Sequence, residues 1–366
     1  MEIARACPRP KGRARPGSSP GAWRGPRGSR NPAGQRQARR CRPPPDLGSY
    51  CPMEGAREAR DRILEWGREI GFSSVGIAPA EPSPALPRLI RWLEEGRNGS
   101  MAYLARDPLA RGDPRNLLGG CRSVICAALP YSTGDDPAAG RPELGRISRY
   151  AWGDDYHAVV KEKLEALSSR IRREWPEARA RVAVDTSPIM EKALAAQAGI
   201  GWMGKHTLMI DPGRGSWFVL GEVLTTLALS PTGAVEDRCG GCSRCVEACP
   251  TGAIVEPYLL DARRCLSYWT IERKGEIDPE IEIRTGNWIF GCDVCQEVCP
   301  WNERAPRAEE PRFAPRIENL GRALREWREA GEAEFDRRFG GNPVAHVGRG
   351  AFLRNVEAAM RNERRR

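Results

Sequence analysis

The sequence predicts a mixed α/β (α+β) protein of three folded parts behind an N-terminal extension. Strand-like and helix-like apolar patterns alternate from residue 53 to about residue 230, which is typical of helices packed on a sheet. Eight closely spaced cysteines mark a second part at 231–310, and helical periodicity returns at 311–366. Residues 53–366 are too many for a single hydrophobic core, so we expect an α/β domain, a cysteine-rich domain and a short helical C-terminal cap.

The extension at residues 1–52 is rich in arginine, proline and glycine. It holds twelve basic and two acidic residues and so accounts for the whole formal charge of +10, which leaves residues 53–366 balanced. Its lack of apolar periodicity predicts a disordered basic segment. No apolar run follows Arg39-Arg40, so neither a secretory nor a twin-arginine signal is indicated. The alternative that residues 1–52 are a translated leader sequence is favoured, because globular sequence begins at Met53.

The elements of the first and third parts follow from apolar spacing and breakers. Residues 207–210 and 216–227 predict a hairpin around an Asp-Pro-Gly-Arg-Gly turn. The other predicted strands lie at 72–78, 123–129 and 181–184. Helices are predicted at 56–71, 85–96, 154–174 and 189–198, and in the cap near 318–329, 332–339 and 350–361.

The cysteines of the second part form two runs, each ending in Cys-Pro. The first run has the ferredoxin spacing C-x2-C-x2-C-x3-C-P, in which the fourth cysteine ligates the other cluster. The second run lacks the first position, and Cys265 between the runs can supply the missing thiolate. One 4Fe–4S cluster then takes Cys239, Cys242, Cys245 and Cys299, and the other takes Cys249, Cys265, Cys292 and Cys295.

Zinc is the alternative occupant, since two C-x2-C pairs can also make a four-thiolate site. The x3-C-P ending of both runs favours two clusters over zinc. The other cysteines show no ligand spacing and, as unpaired thiols, indicate a reducing, cytoplasmic compartment. They are Cys7, Cys41, Cys51, Cys121 and Cys126. No apolar stretch is long enough to span a bilayer, so no membrane contact is expected.

Asp185 is the first candidate for chemistry outside the clusters. It follows the apolar stretch Val182-Ala-Val, and ligands of α/β proteins bind near strand ends. An acid beside apolar neighbours tends to have a raised pKa, which a proton donor needs. The alternative is that Asp185 or Ser187 caps the following helix, and spacing does not decide between the two.

Two further segments have mixed compositions that suit a ligand surface. Residues 145–157 combine aromatic, cationic and small polar side chains, or they simply begin a helix whose dipole Asp154 and Asp155 favour. Residues 199–206 are rich in glycine, which lets a backbone approach a flat ligand, or they form a plain turn. His206 could be a polar residue whose hydrogen bonds are satisfied or a metal ligand, and the first role is the commoner one for a lone histidine.

Several of these stretches together resemble the epoxyqueuosine reductase family over residues 53–366. The similarity is carried by Ile-Ser-Arg-Tyr-Ala-Trp-Gly-Asp-Asp-Tyr-His, Val-Asp-Thr-Ser-Pro-Ile-Met-Glu-Lys, Gly-Trp-Met-Gly-Lys-His-Thr-Leu and Gly-Cys-Asp-Val-Cys-Gln. It implies a cobalamin-dependent iron–sulfur enzyme that reduces epoxyqueuosine to queuosine at the tRNA wobble position, the last step of queuosine biosynthesis. It also implies a nitroreductase-like cobalamin-binding domain at 53–230, ahead of the two-cluster domain.

The resemblance further implies roles for single residues and for partners. Asp185 would donate the proton. The corrin contacts would be Arg111, Ser148, Asp185, Met209, Leu220, Ser267 and Asp293. The partners would be tRNA carrying epoxyqueuosine in the anticodon and an unidentified electron donor, and we expect a monomer. Basic residues near the clusters are candidates for tRNA phosphate contacts: Arg263, Arg264, Arg273 and Lys274.

Three other functions compete with this interpretation. A reductive dehalogenase would share both cofactors but would normally carry a twin-arginine leader. A simple electron carrier would leave the α/β domain and Asp185 unexplained. A zinc-stabilised tRNA-binding module would be colourless.

Overall fold

A four-stranded antiparallel sheet lies at the centre of the computed structural model, which describes residues 52–365. The strands are β1 (Ser74–Pro79), β2 (Ser123–Pro130), β3 (Arg146–Ile147), β4 (Ala180–Ala183), β5 (Trp202–Met203), β6 (Met209–Ile210), β7 (Phe218–Thr225), β8 (Ile254–Glu256), β9 (Leu259–Leu260) and β10 (Trp288–Phe290). The central sheet has the order β1-β2-β7-β4. The predicted disorder of residues 1–52 lies outside the described residues, except at Pro52, where α1 begins.

The α-helices alternate with these strands and then dominate the C-terminal region. They are α1 (Pro52–Glu69), α2 (Leu86–Glu94), α3 (Pro108–Arg111), α4 (Tyr156–Glu174), α5 (Glu191–Gln197), α6 (Arg244–Ala248), α7 (Pro279–Glu282), α8 (Val294–Glu297), α9 (Leu324–Glu329), α10 (Glu332–Phe339) and α11 (Gly348–Glu363). The mixed α/β character and the positions of the longer helices agree with the prediction.

Strand β2 shows why the sheet is covered on both faces. Its residues are buried from Ser123 to Leu129, and successive side chains point to opposite faces. Ile125 packs in a cluster with side chains of α1 and α4, such as Ile63 and Leu164. Val124 packs in a second cluster with Leu194 of α5. The sheet therefore lies between two helical layers, and the region following its edge strand β4 remains available for a site.

The predicted hairpin at 207–227 is wrong. A turn does form, since Asp211 and Gly215 make an isolated bridge, but its two arms belong to different sheets. Strand β6 pairs with β5, whereas β7 pairs with β2 on one edge and β4 on the other. Because both edges of β7 are occupied inside the central sheet, it has none left for β6.

The cysteine runs and the C-terminal helices pack on the first part through a short parallel strand pair. Strand β10 pairs with β3, which ties the segment at 145–157 to the second cysteine run. The cap buries an aromatic cluster of Trp327, Phe339 and Phe352 against Phe290 of β10. All described residues belong to one compact unit, so domain boundaries near residues 230 and 310 stay predictions.

None of the helices in residues 52–365 combines the length and apolar character needed to cross a bilayer.

Candidate active site

A cavity of about 380 Å³ lies where the segment after β4, the start of α4, strand β7 and the cysteine region meet. Its wall is mainly apolar, with a few polar groups, as is usual for cofactor sites. Two parts of this wall concern chemistry. The cysteine wall consists of Cys249, Cys265, Cys292 and Cys295, and the acid wall consists of Tyr156, Asp185 and Glu191.

The cysteine wall is one of the two predicted ligand sets. Its four thiols lie close enough to interact electrostatically, because Cys292, Cys265 and Cys249 all raise the pKa of Cys295 after the larger effect of burial. The four cysteines are free thiols. Converging thiols in a poorly solvated site favour a bound cation, since metal binding stabilises the thiolate form.

The other predicted set lines a separate, smaller cavity of about 100 Å³. Burial, followed by the thiols of Cys299, Cys239 and Cys242, raises the pKa of Cys245 to about 11. All four are free thiols as well. Chain folding thus groups the eight cysteines as two sets of four, with the same members that the spacing predicts.

Asp185 lies at the cavity with its side chain half exposed. Its Oδ2 atom accepts hydrogen bonds from the Tyr156 hydroxyl and from Nε2 of His157, each at 3.1 Å. The helix-cap alternative is wrong for this residue, because α5 begins after Met190 and has no side-chain cap. Asp185 is therefore held by the first turn of α4 and presented to the cavity.

The predicted rise in the pKa of Asp185 is also wrong. Its hydrogen bond from His157 lowers the pKa of this carboxyl and outweighs burial, which acts in the opposite direction. For His157, burial favours the neutral ring, but bonds to Asp155 and Asp185 outweigh it and raise the pKa of His157 to about 9. At neutral pH the proton of this pair resides on the imidazole, not on the carboxyl.

Two glutamates lie close to Asp185: Glu191, which is partly buried, and Glu222, which is fully buried. Burial, then the charge of Asp185, raises the pKa of Glu191 to about 7. Glu222 in the middle of β7 is fully buried, and neither of its carboxyl oxygens has a hydrogen-bond partner among residues 52–365. Burial, followed by Glu191 and Asp185, raises the pKa of Glu222 well above its usual value. A neutral carboxylic acid beneath the site avoids a buried unpaired charge.

The structure brings together six of the seven side chains for which the resemblance implies corrin contacts. They line the cavity and are Ser148, Asp185, Met209, Leu220, Ser267 and Asp293. Ser148 donates a hydrogen bond to Asp293, whose other oxygen accepts from the Arg149 backbone at 2.8 Å. Arg111, at the end of α3, is not among the described residues that line the cavity. It lies near Tyr103. Its charge lowers the pKa of this tyrosine, but burial raises that pKa by more.

The glycine-rich segment at 199–206 serves the fold more than a ligand. A Cβ on Gly201 would lie 2.0 Å from the Ile210 carbonyl oxygen, so this glycine permits close approach of backbone to backbone. Lys205 lines the smaller cavity and donates to the carbonyls of Gly240 at 2.6 Å and Cys242 at 2.8 Å. Gly201 therefore serves backbone packing next to β5, and neither of its two predicted roles applies to it. Lys205 holds two carbonyls of the first cysteine run.

His206 lies in the wall of both cavities and is buried. Its Nδ1 accepts from the Leu208 backbone at 3.1 Å, so Nε2 carries the hydrogen of the neutral ring. Nε2 has no partner among the residues that the structure describes. Burial, with Lys192 second, lowers the pKa of His206 to about 4, so the ring is neutral at pH 7. An unpaired buried donor in a cavity wall suits a ligand with acceptor oxygens.

The basic residues suggested for tRNA contact differ in their surroundings. Arg263 is half exposed and bonded to Asp261 at 2.7 Å, and Arg273 lies 5.9 Å from the Trp269 ring. Nothing in the geometry singles out these two, or Arg264 and Lys274, as phosphate ligands, and their role stays a prediction.

Sequence reasoning included His157 only as part of the segment at 145–157, without a role of its own, and missed His346 as part of the site. His346 Nε2 lies 2.7 Å from Oδ2 of Asp155, whose Oδ1 lies 2.7 Å from Nδ1 of His157. The chain has only three histidines, and two of them meet at one aspartate. Spacing could not reveal it, because Asp155 and His346 are 191 positions apart.

Two families match parts of the chain. Residues 238–302, which include all eight clustered cysteines, match the family described as 4Fe-4S double cluster binding domain. Residues 111–186, which include His157 and Asp185, match the family described as Epoxyqueuosine reductase QueG, DUF1730.

Curated relatives resemble the chain over most of its length. An epoxyqueuosine reductase of Pseudomonas aeruginosa is 41% identical over 324 residues, which cover 87% of this chain and 90% of the relative. One from Alicycliphilus denitrificans is 41% identical and covers 82% and 86%. One from Escherichia coli is 40% identical and covers 82% and 80%.

Solved structures agree with these relatives. A crystal structure of epoxyqueuosine reductase with a tRNA-Tyr epoxyqueuosine-modified stem loop has a TM-score of 0.79 at 32% identity, covering 84% of this chain and 82% of that one. A Bacillus subtilis epoxyqueuosine reductase, whose catalytic aspartate loop is swung out of the active site, has a TM-score of 0.76 at 30% identity with the same coverage. By identity over most of its length, the chain belongs to the epoxyqueuosine reductase family.

Proposed function

We propose that this chain reduces epoxyqueuosine to queuosine in tRNA with two 4Fe–4S clusters and cobalamin, as the last step of queuosine biosynthesis. One observation carries the proposal: a single cavity has four converging cysteines in one part of its wall and the hydrogen-bonded Asp185 in another. A reductive ring opening needs a source of electrons and a source of protons. This cavity offers sulfur ligands for an electron-transferring cluster and a side chain that can pass on a proton.

The residues present fit both cofactors. Two sets of four free thiols, each around its own cavity, suit two cubane clusters. The unpaired Nε2 donor of His206 and the apolar side chains of Met209 and Leu220 suit a large ligand with an apolar ring and amide oxygens. When bound, the clusters supply single electrons and the cobalamin a low-valent cobalt that reacts with carbon.

The chain's own task is to bind, orient and move protons. Opening an epoxide to an alkene takes up two electrons and two protons and releases water, so the departing oxygen must be protonated. Asp185 is suited to pass on a proton because it reaches the cavity while Tyr156 and His157 fix its position. The aspartate-bearing catalytic loop of the Bacillus subtilis relative supports a catalytic role for an acid in this family.

Other parts of the proposal follow from the family. The α/β part serves as a nitroreductase-like cobalamin domain and the cysteine region as a ferredoxin-like domain, with boundaries near residues 230 and 310. The tRNA contributes the modified anticodon base, as the stem-loop complex of a relative supports. An external one-electron donor supplies the reducing equivalents, and the protein acts as a monomer in the cytoplasm.

The test is anaerobic reconstitution followed by a turnover assay. The purified chain is loaded with iron and sulfide, its visible spectrum is recorded with and without cobalamin, and epoxyqueuosine stem-loop RNA is added with dithionite. We expect about eight irons per chain, a cobalamin spectrum retained on gel filtration, and queuosine in the RNA by mass spectrometry.

Stoichiometric zinc in a colourless protein would overturn the cluster assignment. Iron-loaded protein that retains cobalamin but converts only a halogenated phenol would favour a dehalogenase instead. A halogenated phenol assayed in parallel with the RNA is therefore the matched control.

A further inference from the structure

Four side chains form a continuous hydrogen-bonded line from the surface to the cavity. His346, with a side chain 62% exposed, contacts Asp155; Asp155 contacts His157, and His157 contacts Asp185. The contacts measure 2.7, 2.7 and 3.1 Å in that order. Asp155 thus uses one carboxyl oxygen for each imidazole, and His157 uses one ring nitrogen for each aspartate.

Local structure fixes each member of this line. Asp155 is the N-cap of α4, because its side chain accepts a hydrogen bond from the His157 backbone at 3.0 Å. The same carboxylate contacts the His157 ring, so it serves both the helix cap and the imidazole. The His157 ring stacks on Tyr156 with centroids 4.0 Å apart. His346 belongs to a 3-10 helix (Pro343–Val347) whose N-cap Asn342 donates to the Ala151 carbonyl at 2.8 Å. The C-terminal region is thereby tied to the start of α4.

The charges around His157 favour a proton on its ring. Asp155 on its own element and Asp185 after β4 both face the imidazole. Asp155 carries a lowered pKa, because the bonds from both histidines outweigh burial. The other titratable groups nearby are Tyr156 and His346, with Glu191 and Lys192 on the far side of Asp185. Two carboxylates against one imidazole leave His157 as the cation.

We propose that His157 supplies the proton that Asp185 passes to the opening epoxide, and that Asp155 and His346 are positioning residues for this transfer. The inference rests on the proposed function. The Nε2 proton of His157 first moves to Oδ2 of the Asp185 carboxylate. The carboxyl formed in this way then gives that proton to the epoxide oxygen, which keeps the electron pair of the broken carbon–oxygen bond. The transfer is not redox; electrons come from the external one-electron donor.

The role of Asp155 follows from the same geometry. It accepts from Nδ1 of His157, which keeps a hydrogen on that nitrogen and leaves Nε2 as the proton-transferring atom. An aspartate in this position orients an imidazole and stabilises its charged form without being protonated itself. His346 holds the second oxygen of Asp155, so its effect on the site is one residue further removed.

The test compares single turnover of the fully loaded enzyme between pH 6 and pH 10 for four variants. We expect His157→Gln to be slower by about 10²-fold at neutral pH, since it removes a proton donor. Asp155→Asn keeps the cap but should shift the alkaline limb of the profile to lower pH, because removing the anion lowers the pKa of His157. His346→Ala should be several-fold slower, and His346→Gln, which keeps a donor to Asp155, should restore the rate.

Asp278→Asn is the matched control for Asp155→Asn. Asp278 also caps a helix, accepts from the Glu280 backbone at 2.8 Å and is exposed. Its profile should match that of the unchanged enzyme. If Asp185→Asn is inactive while His157→Gln keeps the wild-type rate and profile, this inference fails and the proposed function stands. If the unchanged enzyme does not convert the RNA, the proposed function fails.

A second readout does not depend on turnover. With only three histidines, nitrogen-15 histidine spectra of the holoenzyme can be assigned by single substitutions. His157 should titrate near pH 9 and at lower pH in Asp155→Asn. Titration near the ordinary value of about 6.5 would overturn the proposal. The ligand atoms of Asp155, His157 and His346 also lie within 4.8 Å of one another, so a stoichiometric divalent metal lost in His346→Ala would overturn it as well.

Discussion

The cysteine wall and the acid wall of one cavity are built in different ways. The cysteine wall comes from residues 249–295, with Cys292 and Cys295 three positions apart, and its members were recognisable from spacing. The acid wall is supported by contacts between the start of α4, the segment after β4 and a 3-10 helix near the C-terminus. The side for which we propose electron transfer is thus encoded locally, whereas the side for which we propose proton transfer depends on the assembled fold.

The two cysteine sets also differ from each other in the residues that surround them. Cys249, Cys265, Cys292 and Cys295 share a cavity with Asp185, whereas the other set lines the smaller cavity beside Lys205 and Trp301. We infer that electrons enter at the set that lines the smaller cavity and leave from the cysteine wall, which shares its cavity with Asp185. This ordering could not be read from the sequence, because each run contributes to both sets.

Breaking the cysteine wall should have the largest effect. We expect Cys295→Ala to retain about four irons instead of about eight and to lose all turnover, because the cluster next to the cavity is gone. Iron analysis and the RNA assay measure both. Cys126→Ala is the control, since Cys126 is buried in β2 and lies in an apolar cluster instead of a ligand set. Full activity of the cluster-deficient variant would contradict the assignment.

Breaking the acid wall should slow chemistry without touching iron. Asp185→Asn keeps the shape and an acceptor for Tyr156 but has no acidic proton, so single turnover should fall by about 10²–10⁴-fold. Iron and cobalamin contents are measured first and should be unchanged. Near wild-type turnover with both cofactors bound would remove Asp185 from the mechanism.

The pH dependence sharpens the comparison, because His157, which holds Asp185 of the acid wall, should titrate in the working range, whereas the cysteine wall should not. The pKa of His157 is raised to about 9, so the rate should hold at neutral pH and fall as pH rises through that value. Electron uptake from dithionite, followed by cluster absorbance, should not show this limb. A rate that is flat from pH 7 to pH 10 would argue against His157.

The same shift predicts a smaller effect on stability. A folded pKa above the ordinary value stabilises the protein fully below pH 6.5 and loses that contribution as pH rises through about 9. His157→Gln should therefore lower the melting temperature more at pH 6 than at pH 10. An equal decrease at both values would mean that lost packing, not charge, causes it.

Removing residues 1–52 should have the smallest effect, because the residues that define both walls come later in the chain. A chain that starts at Met53 should keep its iron content, its turnover and the salt dependence of RNA binding. A loss of RNA affinity at physiological salt would show that the twelve basic residues of the extension bind phosphates.

Much of the fold was predictable because its determinants are local. The helix predicted at 154–174 forms at Tyr156–Glu174, and strand β2 at Ser123–Pro130 matches the apolar run at 123–129. The hairpin at 207–227 was not predictable, because the choice of β7 to pair with β2 and β4 depends on strands far away in sequence. Turn residues fix a bend, but competition among partners decides the pairing.

By itself, the sequence determined the two cysteine sets, the alternation of strands and helices and the position of Asp185 after an apolar strand. Cysteine spacing and apolar periodicity are short-range properties, and the chain geometry translates them directly into structure. Only the tertiary structure decided the protonation state of Asp185, because His157 lies 28 positions away and outweighs the burial that the sequence suggested. A pKa is the sum of all nearby charges and of solvent exclusion, and both exist only once distant segments have packed together.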